Sequence, residues 1–127
     1  MNERTIEQEI QDKGIGALRV TPDDIEDNIL SEYYFTADEG VLGAYKMNDD
    51  VYVGTYPFTD TTATALKLLT FCVIVLKNGF TVTGESACVS PENFYAVIGR
   101  KIARQRAVDK IYPLIGYELK CRLAERD

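Results

Sequence analysis

Asn93, Arg100 and Arg104 stand at i, i+7 and i+11, and Lys101 sits beside them. On a helix this spacing lays an amide and two guanidinium groups along one stripe. Ser90-Pro91-Glu92-Asn93 just ahead reads as a helix start, with Ser as N-cap and Pro in the first turn. The stripe lies in a basic part of the chain. Residues 97–127 hold 8 bases against 4 acids, while residues 1–60 hold 14 acids against 4 bases. A protein of net charge -6 with one basic quarter lacks the broad cationic face that a nucleic-acid polymer needs. It suits a local anion site, or an internal pairing of opposite charges.

Catalysis has fewer parts. The chain contains no histidine, which removes Ser-His and Cys-His nucleophile pairs, His-ligated zinc and the usual base near neutral pH. Cys72, Cys88 and Cys121 are widely spaced and form no C-x-x-C pair, so no zinc knuckle or dithiol redox motif can be drawn. Their odd count, without a signal-peptide pattern, predicts reduced thiols in a cytosol. No catalytic residue, metal site or cofactor is expected. The apolar run at residues 68–76 is too short to cross a bilayer.

The elements that would carry the stripe follow from pattern. A length of 127 residues implies one domain over 1–127. Within it, 1–36 supplies N-terminal helices and a first strand, 37–66 an inserted loop and edge strand, and 67–127 a hairpin with C-terminal helices. Residues 3–13 have helical spacing, ended by Gly14 and Gly16. Thr21-Pro22-Asp23-Asp24 starts a second helix whose apolar stripe is Ile25, Ile29 and Leu30. Residues 32–36 suit a strand, 37–50 a loop, 51–58 a short edge strand with Pro57 near its end, and 59–64 a Thr-rich connection.

The centre is clearest. Residues 70–76 and 81–86 flank Lys77-Asn78-Gly79-Phe80, and Asn-Gly fits a two-residue type I′ turn. That turn predicts pairing of Lys77 with Phe80, Val75 with Val82 and Val73 with Gly84. Strand 70–76 is apolar on both faces, so helices would cover one and a second subunit could meet the other. Pro113 should break the C-terminal helix, leaving a final short helix around Leu114, Ile115, Tyr117 and Leu119. The predicted fold is α+β: a small antiparallel sheet with a central Asn-Gly hairpin, two C-terminal helices and N-terminal helices, in an oligomer.

The segments NGF-TVTGESAC, SPENF and GRKIAR, with a Pro-Leu-x-Gly-Tyr ending, resemble a family of small tailed-phage proteins named after gene 49 and gene 66 of two enterobacterial phages. The likeness covers residues 68–120. Members of that group look similar to Thoeris anti-defence proteins of the first type. The resemblance implies a small antiparallel sheet followed by two helices, assembly into oligomers, and a sponge that traps a cyclic ADP-ribose isomer. Some such proteins also bind cyclic oligonucleotides. It further implies a ligand with phosphate and an adenine, for which this chain offers Arg100, Lys101 and Arg104, Asn93, and the aromatic planes of Phe80 and Phe94.

The reading is therefore a phage protein in the host cytoplasm that sequesters a cyclic nucleotide signal without degrading it, in a cleft between subunits. Arg100 and Arg104 would clamp phosphate, Phe80 would stack on a base, and Asn93 would bond a base edge or ribose. Structural roles compete: Phe94 as core, Arg100, Lys101 and Arg104 as a solvated face, Asn93 as cap support. One rival is an acidic inhibitor that docks Glu7, Glu9, Asp23, Asp24, Glu26 and Asp27 on a basic host protein. The other is an enzyme that degrades the signal.

Overall fold

The computed structural model describes residues 3–13, 18–51, 53–55 and 58–126. Gly14, Gly16 and Pro57, each given a role above, lie outside the described residues. Helix α1 spans Glu3–Asp12 and α2 spans Pro22–Asp27. Thr21 caps α2 as its sequence predicts. The Thr21 side chain accepts the Asp24 N–H at 3.1 Å while the Asp24 carboxylate accepts the Thr21 N–H at 2.9 Å. Ile29 and Leu30 do not continue that helix. They open strand β1, Ile29–Thr36, where Leu30 sits at a bulge.

Most of the expected loop at 37–50 is helical: α3 spans Ala37–Met47, and only 48–50 form a turn. Its start is written in Thr36 and Glu39, whose carboxylate accepts the Thr36 N–H at 2.8 Å. Gly40 and Gly43 hide the pattern. A Cβ at Gly40 would stand 3.3 Å from the Phe35 ring, which would have to give by a few tenths of an ångström to admit it. The helix closes at Asn48, with Asp49 and Asp50 in the left-handed region at φ 56° and 62°. None of the described residues in 51–58 forms a strand. The Thr-rich connection is helix α4, Asp60–Lys67, capped by Thr59 accepting from the Thr62 N–H at 3.2 Å.

Strands β2 (Leu69–Leu76) and β3 (Thr81–Ala87) form the hairpin, and the antiparallel sheet runs β1-β2-β3. The turn differs from type I′. The Gly79 N–H donates to the Leu76 carbonyl and the Leu76 N–H to the Phe80 carbonyl, both at 2.8 Å. This is a three-residue loop with only Gly79 at positive φ, 90°. The Asn78 side chain accepts the Phe80 N–H at 2.9 Å instead. Ile74 therefore pairs with Val82, and Cys72 with Gly84.

The shift by one residue turns β3 over. Cys72, Ile74, Leu76, Val82, Gly84 and Ser86 face the helical layer, while Thr81, Thr83 and Glu85 are exposed on the far side. After a single 3₁₀ turn at Pro91–Asn93, one helix completes the chain: α5, Ala96–Glu125. Thirty residues make it roughly 45 Å long. The expected break at Pro113 does not occur, because Ile111 and Ile115 on either side pack on the core and hold the helix together. Fully buried Ile74 and Ile111 each contribute roughly 1.5–3 kcal/mol. No described helix is long and apolar enough to cross a membrane.

Candidate functional site

The first turn of α5 lies on Thr70, the one polar residue that β2 buries. Thr70 is 3% exposed, and its hydroxyl has no hydrogen-bond partner among the described residues. Gly99 permits this seat, since a Cβ there would stand 3.1 Å from the Thr70 hydroxyl. Helices α2, α3 and α4 begin on capping threonines, but α5 begins on Tyr95 with no side-chain cap and no acid in its first turn. Its leading N–H groups are thus left for another acceptor.

A groove opens over this helix end. Its inner part, about 160 Å³, is lined by Tyr34, Thr36, Glu39, Thr70, Phe94 and Arg100. An adjoining opening of about 570 Å³ adds Thr64, Lys67 and Pro91 to Phe94, Ala96 and Arg100. Arg100 is exposed and has no ion pair among the described residues. The acid of the groove, Glu39, is held by the Thr36 N–H and by the Thr36 hydroxyl at 2.9 Å. An aromatic ring, a free guanidinium, helix N–H groups and an unpartnered hydroxyl therefore meet in one place. They suit an anion attached to a flat ring.

Of the residues singled out in the sequence, Phe94 and Arg100 share this groove. Asn93 is exposed in the adjoining 3₁₀ turn and not on the helix, so its i, i+7 alignment with Arg100 does not form. Lys101 is exposed, with no ion pair among the described residues. Phe80 lies at the opposite end of the sheet, beside a groove shared with Leu76, Leu114 and Glu118. Ser86 lies six positions further along the chain, about 20 Å away.

Arg104 has another task. Its guanidinium donates to the Glu26 carboxylate at 2.8 and 3.0 Å and to Glu32 at 3.1 and 3.3 Å. Burial would lower its pKa, but the two hydrogen-bonded carboxylates outweigh burial and raise it. Tyr34 donates to Glu32 at 2.9 Å, and burial followed by that bond pushes the phenol up. Burial likewise raises the Cys72 thiol and keeps it unreactive. This cluster joins α2, β1 and α5.

Sequence reasoning did not single out Thr70, Lys67, Thr64 or Glu39. One signal was present: Thr70 is a lone hydroxyl in an otherwise apolar strand, Leu69–Leu76.

The fold and groove define a small α+β protein whose three-stranded sheet is backed by one long helix, with a polar groove at that helix's N-terminus. The chain belongs to the Phage protein (N4 Gp49/phage Sf6 gene 66) family, whose model matches residues 20–123. That range is wider than residues 68–120 and encloses 37–66. No curated protein and no solved structure matches the chain.

Proposed function

We propose that this phage protein binds and sequesters a cyclic nucleotide signal, of the cyclic ADP-ribose or cyclic oligonucleotide kind, without altering it. The observation that carries the reading is the groove, where the uncapped α5 N-terminus, unpaired Arg100 and the unpartnered Thr70 hydroxyl adjoin Phe94. The helix N–H groups and Arg100 take a phosphate, and Phe94 offers an edge or face to the base. Its open part, about 570 Å³, falls in the range of small-ligand pockets. Phe80 reaches this groove only from a second copy of the chain, which fits a ligand shared between subunits.

The acidic-inhibitor rival loses ground on three of its residues. Glu7 is bound to Arg19, Asp24 to the Thr21 cap and Glu26 to Arg104. Host cytoplasm is the compartment in which such a signal would be met.

A capture experiment tests the proposal. The protein is mixed with cyclic ADP-ribose isomers and cyclic dinucleotides, the free ligand is assayed, and the complex is then heat-denatured. Depletion followed by recovery of intact ligand is expected, and Arg100→Glu should abolish depletion at unchanged melting temperature. Recovery of a cleaved product would mean an enzyme. No depletion of any ligand, or unchanged capture by Arg100→Glu, would end this assignment.

A further inference from the structure

Many cations of the described residues have no ion pair, Lys101 among them, so position is what sets two of them apart. Arg19, Lys46, Arg104 and Arg122 sit in ion pairs, and Arg106 donates to the Glu85 carbonyl at 2.8 Å. Lys67 and Arg100 have no such partner among the described residues, and both line the same opening. They come from different parts of the fold. Arg100 is in the first turns of α5, while Lys67 ends α4, with Thr64 one turn before it. The helix N-terminus at Ala96 lines the opening with them. Phosphate at that N-terminus and Arg100 would leave Lys67 facing it from another element, with no acid of its own.

We propose that α3 and α4 form the second bank of the binding groove, and that Lys67 is a specificity residue that takes a second anionic centre of the ligand. This rests on the groove being the binding site. Glu39, on the same bank, has one carboxylate oxygen occupied by Thr36, and its other oxygen accepts a ligand hydroxyl or amine. A monophosphate uses the α5 end alone, whereas two linked phosphates engage both banks. A lysine at a helix C-terminus also complements the helix dipole. That role would affect stability and leave ligand choice untouched.

The test measures AMP and ADP binding to the full chain by calorimetry, with melting temperatures as a fold check. Wild type should prefer ADP. Lys67→Met should weaken ADP by about tenfold, the scale of one charge-assisted hydrogen bond, and leave AMP within about twofold. Lys67→Arg should keep the preference. Arg100→Glu should lose both nucleotides. If Lys67→Met leaves ADP unchanged while Arg100→Glu abolishes it, the second bank is wrong and the α5 site stands. The second bank is equally wrong if Lys67→Met weakens AMP and ADP alike. If neither substitution matters, both readings fall together; if wild type binds neither nucleotide, the second bank falls and the capture experiment decides the groove.

Discussion

An unpartnered hydroxyl inside a core is a cost that a structure keeps for a reason. Burying one without a hydrogen bond costs about 1–3 kcal/mol, and Thr70 does so beneath α5. Valine has nearly the same shape and no polar atom. Thr70→Val should therefore stabilise the unliganded protein by about 1 kcal/mol in urea unfolding. A destabilised Thr70→Val would show that the hydroxyl has a partner in solution and that the groove floor is misread. Arg104 illustrates the opposite case: the spacing that placed it on the anion stripe also lets it reach Glu26 and Glu32. Two carboxylates at hydrogen-bonding distance leave it little capacity for a ligand.

At the scale of elements, the decisive contact is α5 on β3. A Cβ at Gly84 would lie 2.2 Å from the Ala103 carbonyl oxygen and 2.4 Å from the Ala107 nitrogen, so backbone approaches backbone. Neither atom belongs to a flexible side chain. Gly84→Ala must push the helix away from the sheet. We expect a loss of about 3 kcal/mol, the upper part of the range for overpacked cores. Equilibrium urea unfolding would measure it, and a loss below about 0.5 kcal/mol would mean that α5 is not seated there. This contact also accounts for the hairpin register. A two-residue turn would send Thr81, Thr83 and Glu85 to the helix side with Cys72, Ile74 and Leu76. Under α5 that would bury a carboxylate and widen the gap. The three-residue loop puts Val82 and Gly84 there, and Glu85 in solvent.

For the whole molecule, the N-terminal helix is tied on by charge. Arg19 donates to both Glu7 oxygens at 2.7 Å, and Gln11 adds a bond at 3.1 Å. The Arg19 bond, with help from Gln11, holds the Glu7 carboxyl down at about 2 against an ordinary 4.5. Because the folded value is depressed, the tie is fully present above pH of about 4.5. It is lost as pH falls towards about 2. A carbon-detected NMR titration should find Glu7 titrating near 2, returning towards 4.5 in Arg19→Gln. Amides of α1 should lose exchange protection in that interval before those of α5. A wild-type Glu7 titrating near 4.5 would refute the tie.

Local chemistry was enough to place much of this chain. The Thr21-Pro22 cap, the strand at residues 32–36, the position of the hairpin and the helical nature of residues 3–13 follow from neighbours within a few residues. So does Phe94 standing near a helix head with Arg100 one to two turns on. Contacts between distant segments decided the rest. Packing of Ile111 and Ile115 overrode Pro113, and the Phe35 ring lies close against Gly40 in α3. The reach of α5 towards Gly84 selected the register, and hence which face of β3 is buried. Glu26 and Glu32 claimed Arg104, and α4 brought Lys67 to a groove about thirty residues away in sequence. Caps and turns are closed by hydrogen bonds between near neighbours, which a sequence displays. Partners for a charge or a missing Cβ are chosen only when the layers close.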